Sequence, residues 1–137
     1  MPDVNAPIST FCIGPAFSMA AWLLAAGEPG RRFATPNSRL MIHKASAGFL
    51  GTTADIKVAA ENILQSEKLV NVILARHVGR GVTEVTTAVQ RDLWMTAEAA
   101  MAFGIIDEIA PLAAMKPSLQ ASAAPLAART RVLPHRQ

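Results

Sequence analysis

Three residues of this chain have side chains suited to acyl-transfer chemistry: Ser18, His43 and Asp92. A serine hydroxyl is a weak nucleophile by itself, and it becomes effective when a neutral imidazole accepts its proton. A carboxylate can then orient the imidazole and stabilise the cation that forms. These residue types therefore predict a serine peptidase site, provided that the fold brings them together.

The sequence around Ser18 predicts a strand followed by a helix. Residues 11–14 end a buried strand, and residues 19–26 form a uniformly apolar helix that we expect to lie in the core. Ser18 then lies at the helix start, beside unpaired backbone N–H groups that favour developing negative charge. An alternative role for Ser18 is to cap the helix. Because Ala16 and Ala20 replace the glycines of Gly-x-Ser-x-Gly, an α/β-hydrolase nucleophile elbow is disfavoured.

His43 follows a short strand-like run that starts after turn residues 36–38. Histidine is the side chain that most often serves as a general base, because a neutral imidazole can accept a proton and later return it. His77 precedes a glycine at a predicted helix end, where it suits a cap, and His135 lies in a Pro/Arg-rich tail. Among the three histidines, only His43 therefore has the setting of a base.

Asp92 lies between a helical stretch and an extended apolar triplet. Its carboxylate is a candidate to orient the imidazole of His43. The alternatives are a solvated ion pair with Arg91 or a helix N-cap, and the residue by itself does not decide between them.

From Cys12 to about Ile109 the chain resembles ClpP, the family of proteolytic subunits of the Clp protease. The resemblance implies an α/β fold of the ClpP/crotonase type, with Ser18 as nucleophile, His43 as general base and Asp92 as orienting carboxylate. The chain departs from the family at Ala20, where glycine is usual, and at Pro15 and Phe17, where small residues are usual. Phe17 would either narrow the acyl pocket or repack into the core. The similarity is carried by five segments in the family's order: residues 14–27, 36–43, 48–56, 90–100 and 103–107.

The resemblance also implies an oxyanion hole built partly by a Gly-rich strand that precedes the nucleophile segment. This chain begins shortly before that segment, so we expect an incomplete, N-terminally truncated fold in which the backbone N–H of Met19 is the oxyanion donor. Loss of one such donor typically lowers turnover by roughly a hundred- to a thousandfold. A second hypothesis is therefore a non-catalytic or truncated assembly subunit. A crotonase-type acyl-CoA enzyme is a third, but it does not explain the Ser-His-Asp set.

Helical periodicity predicts a long helix over residues 53–77. In the resembling family this helix is the handle through which two heptameric rings stack, and Arg91 resembles an inter-ring contact residue. The family receives unfolded polypeptides from an AAA+ ATPase, so the resemblance implies that partner, with homo-oligomeric rings or rings mixed with full-length subunits. The segment before the helix resembles a handle strand that lines the substrate groove; it contains Gly48, Phe49, Leu50 and Gly51.

Composition divides the chain into a domain, residues 1–110, and an Ala/Pro-rich tail, residues 111–137, that we expect to be flexible. The domain has nine basic and ten acidic residues, so the surplus of positive charge lies in the tail. Four scattered tail charges without aromatic residues do not indicate nucleic-acid binding. No apolar run suits a membrane span, and no ligand spacing suggests a metal or another cofactor. The single Cys12 is typical of the reducing cytoplasm.

Overall fold

A computed structural model of the chain describes residues 6–114. Strands and helices are mixed along the chain, which confirms the α/β class predicted from the sequence. In chain order the elements are β1 (Thr10–Cys12), β2 (Pro15–Phe17), α1 (Met19–Ala25), β3 (Arg32–Ala34), β4 (Arg39–Ile42), α2 (Thr53–Val78), α3 (Val82–Ala88), β5 (Leu93–Thr96), α4 (Ala97–Phe103) and β6 (Glu108–Ile109).

The strands form two three-stranded sheets. One has the order β1-β3-β6 with parallel pairing throughout, and the other has the order β2-β4-β5. In the second sheet β4 is central, parallel to β2 and antiparallel to β5. The sequence predicted one strand before Ser18, but the chain leaves the first sheet after Cys12 and enters the second at Pro15. Gly14 lies in this turn with φ +90°, a conformation that glycine adopts without the steric cost of a Cβ.

The core is formed by residues of both sheets, of α1, α3 and α4, and of the C-terminal part of α2. Helix α1 contributes only one face, because Met19 and Leu23 are more than half exposed. The expectation that the whole helix is buried was therefore wrong. Near the end of the domain, Ile105 and Ile106 pack in the core just before β6. The largest fully buried apolar side chains are Leu40, Ile42, Leu74, Ile105 and Ile106.

Helix α2 has strong start and stop signals. The hydroxyl of Thr52 accepts a hydrogen bond from the Asp55 N–H, and the Asp55 carboxylate accepts one from the Thr52 N–H, which completes a capping box. Gly79 ends the helix with φ +69°. The buried residues of α2 lie in its last two turns, whereas apolar side chains of the preceding turns, such as Ile56, Val58 and Leu64, are exposed. None of the helices among residues 6–114 is long and apolar enough to cross a membrane.

A buried ion pair joins the ends of three helices. The Arg32 guanidinium, only 7% exposed, donates to both carboxylate oxygens of Asp107, at 2.5 and 2.9 Å. Its remaining nitrogen donates to the carbonyls of His77 and Gly104, at 2.9 and 2.8 Å, and more weakly to Ala25. These hydrogen bonds lower the pKa of Asp107, against the opposing effect of burial. Sequence reasoning did not identify this pair, although each residue is a charge beside an apolar run.

Candidate active site

Ser18 occupies a strained turn between β2 and α1. Its backbone has φ +55° and ψ −123°, and it is the one non-glycine residue with positive φ among residues 6–114. Its side chain makes no capping hydrogen bond, so the helix-cap alternative was wrong. The strand–serine–helix turn has the form of a nucleophile elbow, although Ala16 and Ala20 stand where that motif has glycine. Strain of this kind persists where the surrounding structure enforces it, and it is common at functional sites.

Strand β4 holds Ser18 at two points. The Ser18 N–H donates to the Met41 carbonyl at 2.8 Å, which fixes the backbone of the turn. Two residues further on, His43 Nε2 lies 2.9 Å from Ser18 Oγ, within hydrogen-bonding distance. For the hydroxyl to donate to Nε2, the neutral ring must carry its proton on Nδ1. The arrangement can therefore transfer a proton from Ser18 Oγ to an imidazole nitrogen.

Asp92, the third predicted residue, precedes β5 and makes no hydrogen bond with Ser18 or His43. The β4–β5 ladder ends with Ile42 opposite Leu93, so one further step of the register sets His43 opposite Asp92. Within residues 6–114 no hydrogen bond or ion pair reaches the Asp92 carboxylate, either from His43 or from Arg91. Asp92 is exposed, in the turn between α3 and β5 where few residues pack against it. The structure thus joins two of the three predicted residues and places the third just before β5, the strand that pairs with β4.

Two backbone donors at the start of α1 are free to face a developing anion. The Ser18 N–H is committed to Met41, and the first hydrogen bonds within the turn begin at Ala21. In the part of the chain that the structure describes, the N–H groups of Met19 and Ala20 have no acceptor. The sequence singled out Met19; Ala20 follows from the same rule that the first N–H groups of a helix lack partners.

The segment between β4 and α2 differs from the expected handle strand. It is exposed and irregular and has no neighbouring strand with which to pair. An ion pair of 3.6 Å between Lys44 and Glu67 joins its beginning to α2. Arg91, the predicted inter-ring residue, is exposed. The predicted groove residues in this segment are Gly48, Phe49, Leu50 and Gly51.

An aromatic pair next to Ser18 was not anticipated from the sequence. The side chain of Phe17 is 41% exposed, so it does not repack into the core. Its ring meets that of Trp94 edge-on, with centroids 5.2 Å apart and an interplanar angle of 70°. Both residues are turned away from the core by the alternating burial of β2 and β5. No local sequence signal could have shown the contact, because the two residues are far apart in the chain.

Comparison with protein families identifies the family of the chain. Residues 1–112 of the 137-residue chain match the family model described as Clp protease. The match confirms the resemblance seen in the five sequence segments and is consistent with the mixed helices, small sheets and long α2. A ClpP-like peptidase fold is thus supported both by the family match and by the elements observed. The chain belongs to the Clp protease family.

Proposed function

We propose that the protein is a serine peptidase that hydrolyses peptide bonds through an acyl intermediate on Ser18. The observation that carries this proposal is the 2.9 Å contact between Ser18 Oγ and His43 Nε2, made by a serine in a strained turn. A nucleophile within hydrogen-bonding distance of a base is the arrangement that acyl transfer requires. Membership of the Clp protease family supports the same chemistry.

In the proposed reaction Ser18 Oγ attacks the carbonyl carbon of the scissile peptide while its proton passes to His43 Nε2. The negative charge on the carbonyl oxygen is stabilised by the N–H of Met19, with that of Ala20 as a second donor. His43 then gives the proton to the leaving amine, and the C–N bond breaks. Water then attacks the acyl-Ser18 ester while its proton passes to His43. The bond between Ser18 Oγ and the acyl carbon breaks, His43 returns the proton to Ser18 Oγ, and the carboxylic acid product leaves.

Asp92 would accept a hydrogen bond from Nδ1–H of His43 after a local movement of its turn. Its position one register step beyond the Ile42–Leu93 pair supports this role. Because Arg91 precedes it, contact of Arg91 with another subunit would also move Asp92. We therefore propose that assembly of the subunits aligns Asp92 with His43.

Family membership also underlies the proposed partners. We propose that the chain assembles as stacked heptameric rings, alone or with full-length subunits, and receives unfolded polypeptides from an AAA+ ATPase in the cytoplasm. The exposed apolar side chains of α2 support assembly, because a monomer would leave them in water. In this proposal residues 48–51 become ordered against the substrate, whose extended backbone supplies the pairing strand.

The direct test is hydrolysis of an unfolded protein and of a fluorogenic peptide by purified wild-type protein and variants. Ser18→Ala should lower kcat/KM by about a thousandfold or more, and Asp92→Asn by roughly a hundred- to ten-thousandfold. Thr83→Ala, which removes an exposed hydroxyl on α3, is the control and should retain wild-type rates. Equal rates for wild type and Ser18→Ala would refute the proposal.

A non-catalytic assembly subunit is the second candidate, and the exposed position of Asp92 favours it. In this case the chain joins rings of complete subunits through α2 without turning over substrate. Co-expression with a full-length homologue, followed by native mass spectrometry, tests it. Mixed rings together with no Ser18-dependent hydrolysis would establish this role, whereas the absence of mixed rings would exclude it.

A further inference from the structure

The segment that follows the candidate base has few attachments to the rest of the protein. The ladder between β4 and β5 ends at the Ile42–Leu93 pair, directly before His43. Within the described part of the chain, residues 43–50 take part in no backbone–backbone hydrogen bond. The imidazole of His43 therefore lies where strand pairing stops, and its contact with Ser18 does not by itself fix the backbone that carries it.

An ion pair joins this segment to α2. Lys44, the residue after His43, has its Nζ 3.6 Å from Oε1 of Glu67. Glu67 lies four residues before Asn71, the first buried residue of α2, so it shares the face of the helix that enters the core. Its side chain is only 14% exposed, whereas that of Lys44 is 45% exposed. Solvent therefore screens this pair less than it screens a pair on the open surface.

The ion pair constrains His43 because Lys44 is the next residue in the chain. Consecutive Cα atoms are about 3.8 Å apart, so an anchor at Lys44 limits how far the backbone of His43 can move. Proton transfer from Ser18 Oγ requires that Nε2 stay within roughly 2.6–3.2 Å of it. Asp92 makes no hydrogen bond with His43, so within residues 6–114 no carboxylate orients the ring. The position of the base then depends on its backbone.

We propose, on the basis of the proposed peptidase function, that the Lys44–Glu67 ion pair holds His43 at hydrogen-bonding distance from Ser18. Lys44 and Glu67 are positioning residues, because neither touches the reacting atoms and both act through the backbone of His43. Loss of either charge frees the start of the segment, and Nε2 then spends part of the time away from Ser18 Oγ. The constraint requires opposite charges at the two positions, so exchanging the charges preserves it.

The first experiment measures kcat and KM for a fluorogenic peptide in variants of the pair. Lys44→Met and Glu67→Gln should each lower kcat about tenfold while KM stays within about twofold, because the base is displaced and the substrate contacts are kept. Lys44→Arg and the exchanged pair Lys44→Glu, Glu67→Lys should retain most of the wild-type kcat. The control Glu84→Gln, which removes an exposed ion pair with Arg80, should leave both constants unchanged.

A double variant tests whether the two residues act as one unit. Lys44→Met, Glu67→Gln should be no slower than either single variant, because each of them already removes the interaction. Additive losses, an unchanged kcat in both single variants, or an exchanged pair as slow as the single variants would each overturn the proposal. Loss of assembly in Glu67→Gln together with normal kcat in Lys44→Met would overturn it too, since it would assign Glu67 to a subunit contact.

A measurement that needs no turnover separates failure of this inference from failure of the peptidase function. Diethyl pyrocarbonate modifies a free imidazole nitrogen, and mass spectrometry reports the rate at each histidine. The rate at His43 should be low in wild type and should rise in Lys44→Met toward its value in Ser18→Ala, while His77 reacts equally in all three.

Two results distinguish the two failures. Faster modification of His43 in Lys44→Met, in a protein without Ser18-dependent hydrolysis, would refute the peptidase function and retain the positioning role of the ion pair. Ser18-dependent hydrolysis by wild type, with the same rate of His43 modification in wild type and Lys44→Met, would refute the positioning role alone.

Discussion

The pairs Arg32–Asp107 and Ser18–His43 both lie at the ends of short strands, yet they differ in how fully their polar atoms are used. Arg32 is buried, and its donors are shared among one carboxylate and the ends of three helices. Ser18 and His43 are half-buried, share one contact, and lie on an open face. A polar cluster whose donors all have partners in the fold serves stability. The Ser18–His43 pair retains unused lone pairs, a strained backbone and an open face, so it can still act on another molecule.

Substitution in the Ser18–His43 pair, the open cluster, should remove activity and leave stability nearly unchanged. In His43→Gln we expect kcat/KM for a peptide substrate to fall by roughly a hundred- to ten-thousandfold, because general base catalysis is lost. The free energy of unfolding should change by about 1 kcal/mol or less, since one half-buried hydrogen bond is removed. Peptide hydrolysis and urea unfolding measure the two effects. The matched control, His77→Gln, should retain activity; a similar loss there would remove the distinction between the histidines.

In the Arg32–Asp107 pair, the buried cluster, substitution should instead lower stability strongly. Arg32→Met leaves Asp107 without its partner and several helix-end carbonyls without donors, so we expect a loss of about 3–5 kcal/mol in the free energy of unfolding. Arg80 offers a matched control, because it also donates to two carbonyls, of Ala102 and Phe103, but from a partly exposed position. Arg80→Met should cost about 1 kcal/mol. Equal losses in the two variants would contradict the role assigned to burial.

The strain at Ser18 should appear as a difference between two substitutions. Ser18→Gly should be about 1 kcal/mol more stable than Ser18→Ala, since glycine adopts φ +55° without a Cβ clash. The same pair at Ser46, whose φ is not positive, should favour alanine or show no difference. Thermal unfolding of the four variants decides the question, and no gain for glycine at position 18 would mean that the turn is unstrained.

The smallest expected effect is the acid response of the buried cluster. Hydrogen bonds from Arg32 hold the pKa of Asp107 below its ordinary value. Its stabilising contribution is therefore fully present above about pH 4, the ordinary pKa of an aspartate, and is lost as the pH falls through the lowered pKa of the folded state. Unfolding between pH 5 and pH 2 should show a steeper loss for wild type than for Asp107→Asn. Parallel curves would mean that Asp107 does not contribute to the acid response.

Local signals predicted the longest element best. Helix α2 was predicted over residues 53–77 and runs from Thr53 to Val78, so it ends within one residue of its predicted end. Short strands were less predictable, because a strand is defined by its neighbour. At Gly14 a turn divides the one expected strand into β1 and β2. The segment before α2, expected to be a strand, has no neighbouring strand with which to pair.

The candidate site, too, was only partly predictable from local sequence. Ser18 and His43 were found from residue type and local context, and β4 brings them together. Phe17–Trp94 and Arg32–Asp107 depend on residues 77 and 75 positions apart, so no local pattern indicates the contacts. The geometry of the Ser18 turn was missed for another reason: alanines at positions 16 and 20 replaced the glycines by which an elbow is usually predicted.

The central claim is that Ser18 is a nucleophile activated by His43, and labelling with a fluorophosphonate tests it most directly. The probe forms a stable phosphonyl ester with an activated serine, and mass spectrometry identifies the modified residue. Size-exclusion chromatography of the same sample reports its assembly state. We predict one adduct on Ser18 in wild type, none in Ser18→Ala, and strongly reduced labelling in His43→Gln. Folded, assembled protein that is labelled no more than Ser18→Ala would contradict the claim.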